Sequence, residues 1–224
     1  MTGGDAAGGQ VQGARKRQED AWHLERFGPR ELLAVLADGL GGHPAGDVAS
    51  REGVAEVKRQ FIQRHKDGHG SPRDWLRESI LFADQHLHAM QMANLAVHGM
   101  ATTLVALYIR DGEFWAASVG DSYLLLHRQN RLIVLNELHS EGGGVTSCVG
   151  FNLTRVDLAD RLLVEQGDRF LLASDGLATL DAQEVTGLLV NAADAAEAVK
   201  NLLGAIEEAA MPAQDNATVI AVFA

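Results

Sequence analysis

The chain has 224 residues, of which 46% are apolar and 22% charged, as in a soluble globular protein of one domain. Its net charge of −11 argues against nucleic acid and anionic membranes as partners, because both attract basic surfaces. A lone cysteine, Cys148, excludes a disulfide framework and a paired-cysteine zinc site. The chain shows no signal-peptide pattern and no run of about 18 apolar residues, so we expect a cytoplasmic location.

The first half of the chain alternates between strand-like and helix-like patterns. Glycine, alanine and glutamine dominate residues 1–12, which predicts a flexible N-terminal segment. Apolar runs then predict strands over residues 21–26 and 32–37. Apolar residues recur at helical spacing over residues 46–65 and again over residues 75–90, which predicts two amphipathic helices.

The second half of the chain is rich in strand patterns. Four β-type runs between residues 102 and 138 are separated by turn residues, which predicts an antiparallel meander. Two alanine-rich helices are expected over residues 183–191 and 193–210, and residues 217–223 close the chain as a strand. Strands, then helices, then strands indicate an α+β fold whose helices cover antiparallel sheets. We expect residues 13–224 to form a single domain.

Carboxylates stand at the rims of several strands that the pattern predicts to be buried. Five such segments carry them, namely those with Glu19 and Asp20, Asp38, Asp121, Asp175, and Asp215. A single Asp-Gly pair is more typical of a hairpin turn, and we assign Asp111 with Gly112 to one. That interpretation fits Asp38 and Asp175 poorly, because apolar runs precede both and no strand directly follows either.

Acids that converge at buried strand ends repel each other and lose hydration unless cations neutralise them. All-oxygen ligands favour hard ions such as Mg²⁺ or Mn²⁺ over zinc or copper. Gly39, directly after Asp38, would let its backbone carbonyl approach a metal as a further ligand. The residues alone therefore predict a carboxylate-lined metal site.

Six motifs occur together in one order: "RKRQED", "VLADGLGGHPAGDVAS", "GMATTLVALYI", "ASVGDS", "GDRFLLASDGL" and "DNATVIAV". In this order and approximate spacing, from about Gly13 to the C-terminus, the chain resembles the metal-dependent protein phosphatases, the type 2C Ser/Thr family. The resemblance implies a four-layer α-β-β-α sandwich of two antiparallel sheets flanked by helix pairs. It also implies hydrolysis of phosphoserine and phosphothreonine by a water activated between two Mg²⁺ or Mn²⁺ ions.

The resemblance also assigns roles to individual residues of the motifs. Asp38 would bridge the two metals, and the Gly39 carbonyl would bind the first. Arg15, four residues before the glutamate of its motif, would hold the substrate phosphate. The ligands of the second metal would be Glu19, Asp175 and Asp215.

Several positions depart from the family pattern. Leu40 stands where animal and plant members often carry a histidine proposed as general acid. His43, three residues on, could instead protonate the leaving group, or it could only stabilise its loop. Thr179 stands where many members have a further acid. A third metal would therefore depend on Asp121 and Asp175, and we expect that site to be weak or absent.

The flap subdomain that family members normally carry after residue 140 is reduced here to "EGGG". An open cleft buries less of a substrate and offers fewer contacts that distinguish one peptide from another. We therefore expect low sequence selectivity among isolated phosphopeptides, with specificity in the cell supplied by docking or co-localisation.

The function that these observations favour is a monomeric phosphatase acting on proteins phosphorylated by a Ser/Thr kinase. Two alternatives stay open. One is a catalytically silent family member that serves as a regulatory or binding module, and the other is a hydrolase of small phosphoesters. The presence of Arg15 together with all the predicted metal ligands favours the phosphatase.

Overall fold

The computed structural model describes residues 5–43, 45–209 and 211–224, and within them it contains twelve strands and four α-helices. The strands are β1 (Asp5–Val11), β2 (Asp20–Gly28), β3 (Glu31–Asp38), β4 (Leu104–Arg110), β5 (Glu113–Val119), β6 (Tyr123–Arg128), β7 (Arg131–Val134), β8 (Ser140–Glu141), β9 (Gly144–Val145), β10 (Asp157–Leu163), β11 (Arg169–Ala173) and β12 (Ala217–Phe223). The helices are α1 (Gly46–Asp67), α2 (Pro72–Ala93), α3 (Ala182–Asn191) and α4 (Ala195–Glu208), with short 3₁₀ helices at Leu95–Val97 and Asp175–Thr179.

Ten of these strands form two antiparallel sheets of five strands each. The first sheet has the order β1-β12-β11-β6-β7 and the second has the order β10-β5-β4-β3-β2, while β8 and β9 form a separate hairpin. Helices α3 and α4 share an apolar core with the first sheet, and α1 and α2 share one with the second. A third core lies between the two sheets. The expected four-layer α-β-β-α sandwich is confirmed.

Strand β3 shows why its sequence has an unbroken apolar run. Leu33 and Val35 face the core under α1 and α2, whereas Leu32 and Leu36 face the first sheet. A strand covered on both faces needs no alternation of polar and apolar residues. The run ends at Asp38, where the strand reaches the rim of the sandwich.

The prediction of a flexible segment over residues 1–12 is wrong for β1, while residues 1–4 lie outside the described residues. Strand β1 pairs with β12 through seven consecutive residues at the edge of the first sheet. A Cβ atom on Gly8 would lie 2.6 Å from the ring of Trp22, and one on Gly9 would lie 2.9 Å from Val199 of α4. The small residues that suggest flexibility therefore allow this strand to fit tightly between a neighbouring side chain and a helix.

The prediction of one continuous meander over residues 102–138 is also wrong. Strands β4 and β5 form a hairpin in the second sheet, and β6 and β7 form one in the first. The chain crosses between the sheets at Gly120, which has a φ of 98°. A Cβ there would lie 2.6 Å from the side chain of Thr103, so the crossing requires glycine.

Three of the four described α-helices, α2, α3 and α4, begin with a side chain that accepts hydrogen bonds from their free N–H groups. Ser71 and Asp74 form a capping box at the start of α2, and Asp181 and Glu184 form another at the start of α3. The expected helix over residues 193–210 corresponds to α4, and residue 210 lies outside the described residues. None of the helices in the described part of the chain is long and apolar enough to cross a membrane.

Candidate functional site

Hydrogen bonds of its backbone hold Asp38 at the end of β3. Its N–H donates to the Thr103 hydroxyl at 2.9 Å, and its carbonyl accepts from the Thr103 N–H and the Thr102 hydroxyl, both at 2.8 Å. The Thr103 hydroxyl is in turn 2.7 Å from that of Ser122. This network fixes where the Asp38 carboxylate leaves the sandwich, independently of its own side-chain contacts.

Gly39 is required because three segments of backbone meet there. Its N–H donates to the Glu19 carbonyl at 3.0 Å. A Cβ on Gly39 would lie only 2.3 Å from the carbonyl oxygen of Gly46, the first residue of α1. No other residue fits without moving backbone. The close approach places the segment carrying Glu19 directly beside the end of β3.

The segment from Arg15 to Glu19 is fixed by Asn216, a residue that the sequence motifs do not single out as functional. The Asn216 side-chain oxygen accepts from the Glu19 N–H at 2.8 Å. Its amide nitrogen donates to the carbonyls of Gln12 and Arg17 at 2.8 and 2.9 Å. Asn216 is buried and directly follows Asp215, so one turn positions two parts of the cleft.

All the residues predicted as metal ligands or catalytic groups line one cleft with a volume of about 500 Å³. Asp175 begins the 3₁₀ helix after β11, Asp121 lies in the crossing between β5 and β6, and Asp215 precedes β12. These carboxylates come from both sheets and meet at one rim of the sandwich. The predicted residues in the cleft are Arg15, Glu19, Asp38, Gly39, His43, Asp121, Asp175 and Asp215.

The carboxylates of the cleft raise one another's pKa. Loss of hydration and then the charges of Asp20, Asp175, Asp215 and Asp121 raise the pKa of Asp38 well above its ordinary value. Loss of hydration, followed by the charges of neighbouring aspartates, raises the pKa of Asp175 to about 6. Among the described residues, the cleft therefore carries more acidic groups than its one lining cation, Arg15, can neutralise.

Loss of hydration also raises the pKa of Asp121 and of Glu19, and the charge of Asp47 adds to the effect at Glu19. Arg15 supplies positive charge at the edge of the cleft, where its guanidinium donates to the Asp215 carboxylate. Asp215 is one of the predicted ligands of the second metal. The guanidinium is therefore paired with a carboxylate that a bound metal ion would otherwise neutralise.

The donor chemistry of the cleft fits hard divalent cations. It offers carboxylate oxygens and the Gly39 backbone beside them, and it has an excess of uncompensated acid. Among the described residues, no three histidine, cysteine, aspartate or glutamate side chains converge into a ready-made ligand cage. The carboxylates therefore line the same cleft, but the described residues do not form a preformed metal-binding cage.

Asp20 is buried next to Asp38, which the sequence does not indicate. It is the cross-strand partner of Asp38 in the β2–β3 pair and is 6% exposed. One carboxylate oxygen accepts from the hydroxyls of Ser174 and Thr218, at 2.8 and 2.7 Å. The other is buried without a hydrogen-bond partner, and loss of hydration raises the pKa of Asp20. Asp20 is therefore a second buried acid beside Asp38, and its charge contributes to the raised pKa of Asp38.

His43 lies on the wall of the cleft in the loop before α1. Its Nδ1 is 2.8 Å from the Gly99 carbonyl, and because a carbonyl only accepts, Nδ1 carries the hydrogen. The ring packs edge-on against Phe151, with 5.0 Å between the ring centroids. The loop contact expected from the sequence is therefore present, and it leaves Nε2 free of this bond for other chemistry.

The "EGGG" segment forms the turn of the hairpin β8–β9. Gly142 and Gly143 have φ values of 59° and 83°, as a tight two-residue turn requires. Gly143, Gly144 and Val145 contribute to the wall of the cleft. A short hairpin thus stands where the family pattern has a larger flap.

Thr179 stands at the position where many family members have a further acid. Its hydroxyl donates to the side chain of Gln214 at 2.6 Å.

A family model described as protein phosphatase 2C matches residues 8–216. The chain belongs to the protein phosphatase 2C family. The match to this family includes every predicted site residue, from Arg15 to Asp215. The resemblance carried by the six motifs is therefore confirmed at the level of the family.

Individual members of the protein phosphatase 2C family are similar over most of their length. The protein phosphatase PhpP of Streptococcus pneumoniae is 28% identical over 168 residues, covering 66% of this chain and 68% of that protein. The solved structure of the serine/threonine phosphatase Stp1 from Staphylococcus aureus is 25% identical with a TM-score of 0.85, covering 100% of this chain and 97% of that one. PppA of Pseudomonas aeruginosa is 28% identical with a TM-score of 0.81, covering 100% and 98%.

Proposed function

We propose that the chain is a metal-dependent phosphatase that hydrolyses phosphoserine and phosphothreonine in proteins, with residues 13–224 acting as one catalytic domain. The observation that carries this proposal is the meeting of five predicted carboxylate ligands and Arg15 in one cleft of a protein phosphatase 2C fold. No covalent intermediate is required, which agrees with the burial of the single cysteine away from this cleft.

The residues that would hold two divalent cations, Mg²⁺ or Mn²⁺, are the carboxylates of the cleft. Asp38 would serve both ions, and the Gly39 carbonyl would serve the first. When bound, the cations would acidify a water molecule and offset the charge of the phosphate. With Thr179 bonded to Gln214, a third ion would have only Asp121 and Asp175 as side-chain ligands, and we propose that it is weak or absent. The second ion would be held by Glu19, Asp175 and Asp215.

The chain's own cationic and acidic groups would complete the reaction. Arg15 would exchange the Asp215 carboxylate for the substrate phosphate once cations neutralise that carboxylate, because its planar fork matches both anions. His43, with Nδ1 anchored on Gly99, would present Nε2 to the leaving oxygen as general acid. We further propose that the substrates are proteins phosphorylated by a Ser/Thr kinase, and that the enzyme acts as a cytoplasmic monomer.

The direct test is hydrolysis of p-nitrophenyl phosphate and of a phosphothreonine peptide, with and without Mn²⁺. Hydrolysis of both substrates only in the presence of the metal is the expected result. A catalytically silent member of the family would hydrolyse neither. A small-ester hydrolase would turn over p-nitrophenyl phosphate and leave the peptide intact, and either of these results would contradict the proposal.

Replacing Arg15 by alanine should raise KM for a phosphothreonine peptide by about tenfold and change kcat by less than about threefold. A guanidinium that binds the phosphate in both the ground state and the transition state contributes uniform binding, so its loss appears in KM. Lys16→Ala is the matched control, since it removes an adjacent exposed cation. An unchanged KM in Arg15→Ala, or an equal rise in Lys16→Ala, would move phosphate recognition elsewhere.

Replacing His43 by asparagine should lower kcat for the phosphothreonine peptide by about a hundredfold, the usual scale of general acid catalysis. The same change should alter turnover of p-nitrophenyl phosphate by less than about threefold, because p-nitrophenolate leaves without a proton. His69→Asn, at an exposed position outside the cleft, is the control. If both substrates slow equally in His43→Asn and the melting temperature falls, the histidine only anchors its loop.

A further inference from the structure

A second cavity of about 310 Å³ lies beside the cleft, on the face of the first sheet that α3 and α4 cover. We call it the apolar groove. Its floor is buried, with Leu125, Leu177 and Val185 packed in the core, whereas Val134 at its rim is 53% exposed. The large side chains that line the groove include Tyr123, Leu125, Leu132, Val134, Leu177 and Val185.

The apolar groove and the catalytic cleft are lined by neighbouring residues of the same two segments. Asp175 lines the cleft and Leu177, two residues further along the same 3₁₀ helix, lines the groove. Asp121 lines the cleft and Tyr123, again two residues on, lines the groove. Two residues span at most about 7 Å of chain, so the lining of one cavity comes within roughly 10 Å of the lining of the other. Two independent segments therefore form a wall that both cavities share.

We propose that the apolar groove binds one large apolar side chain of the phosphoprotein substrate, a few residues from the phosphorylated serine or threonine. An extended chain advances about 3.3 Å per residue, so a gap of roughly 10 Å corresponds to about three residues. This inference rests on the proposed phosphatase function and adds a sequence preference to it. The two cavities divide recognition, with the phosphate bound in the acidic cleft and an apolar anchor bound in the groove.

The position and chemistry of the groove favour the substrate over another occupant. A peptide whose phosphate reaches the cleft must run across the adjoining surface, and the groove is the concave apolar part of that surface next to Asp121 and Asp175. Its buried floor contains no charged side chain, so it selects apolar over polar residues. The preference should be modest, because the rim is open and a side chain there stays partly hydrated.

The test is a series of phosphothreonine peptides in a background of alanine and serine. Leucine or the similarly sized asparagine is placed in turn at each of about five positions on either side of the phosphothreonine. The readout is kcat/KM of the wild-type protein with Mn²⁺. We expect leucine to exceed asparagine by about fivefold to tenfold at one position or two adjacent ones, and to match it within about twofold elsewhere. Equal rates for both residues at all positions would overturn the proposal.

Strand β7 supplies a matched pair of variants. Neighbouring residues of a strand face opposite sides, and Val134 lines the groove whereas Ile133 does not. Both are accessible, at 53% and 39% exposure, so both should tolerate asparagine. Val134→Asn should lower the leucine preference at least threefold, and Ile133→Asn should leave it unchanged. Both variants should keep p-nitrophenyl phosphate turnover within about twofold of wild type. Equal loss in the two variants would show that the groove is not the binding surface.

A binding measurement separates failure of this inference from failure of the proposed function. Fluorescent peptides carrying a non-hydrolysable phosphonate are titrated with the wild-type protein and with both variants, and Kd is read by anisotropy. If the wild type hydrolyses no phosphate ester with Mn²⁺, the proposed function fails, and the groove is still judged by the ratio of leucine to asparagine Kd values. A ratio near one at every position would reject the groove as a substrate site, whether or not the enzyme is active.

Discussion

Replacing Asp38 by asparagine should lower turnover of every phosphate ester by at least about a thousandfold. Asp38 ends a buried strand, its backbone is fixed by Thr102 and Thr103, and four neighbouring aspartates raise the pKa of its carboxylate. If that carboxylate serves two cations, its loss removes activation of the water and neutralisation of the phosphate together. Asparagine keeps the shape and leaves the backbone network intact. The effect should therefore appear in kcat without unfolding the protein.

The same substitution should stabilise the metal-free protein. The pKa of Asp38 is raised by lost hydration and by neighbouring negative charges, so its ionised form is unfavourable in the folded state. A neutral amide removes that repulsion, and at pH 8 without metal we expect a gain of about 1 kcal/mol, or about 2–4 °C in melting temperature for a domain of this size. Asp111→Asn is the matched control, because Asp111 lies in an exposed hairpin turn with a φ of 52° that asparagine accepts.

Two outcomes would contradict this interpretation of Asp38. Near wild-type turnover in Asp38→Asn would place the reaction elsewhere in the molecule. Lost activity together with a lowered melting temperature would mean that the carboxylate stabilises the fold and does not act in the chemistry. The Asp111→Asn control should change neither activity nor stability measurably. A combination of lost activity and gained stability is what a functional carboxylate, strained by its neighbours, is expected to give.

Much of the site is predictable from the sequence because strand ends determine it. Asp38 and Asp175 follow long apolar runs, and a chain that buries such runs must bring their ends to the rim of the sandwich. The role of Gly39 is predictable in general terms, since a glycine after a buried strand indicates that another group approaches the backbone closely there. That its neighbour would be the backbone of Gly46, 2.3 Å from a hypothetical Cβ, is a tertiary fact that no local pattern contains.

The rest of the site depends on contacts between segments far apart in sequence. Asn216 holds the segment from Arg15 to Glu19 across about two hundred positions, and nothing in "DNAT" by itself indicates that partner. Asp20 follows Glu19 directly, yet only the β2–β3 register shows that it lies opposite Asp38. Strand β1 fails as a prediction for a similar reason, because its glycines are explained by Trp22 and by α4, which local composition cannot reveal.

Removing divalent cations should abolish activity, and adding Mn²⁺ should stabilise the protein far more at pH 8 than at pH 5.5. The pKa of Asp175 is raised to about 6 in the folded state, and that of Asp38 is raised well above its ordinary value. Groups with a raised folded pKa contribute most stability below their unfolded pKa, near 4, and lose it as the pH rises through the folded value. The metal-free protein should therefore become less stable between about pH 5 and pH 7.

Cations reverse this trend because they bind the deprotonated carboxylates. At pH 5.5 a cation must displace protons from Asp175 and its neighbours, whereas at pH 8 the same groups are ionised and repel each other until a cation binds. At a hundredfold excess over Kd, binding stabilises the folded state by about 2.7 kcal/mol, or about 5–10 °C here. At pH 5.5 the shift should be less than half as large. Asp175→Asn should weaken it at both values, and a pH-independent shift in the wild type would show that Mn²⁺ binds outside the cleft.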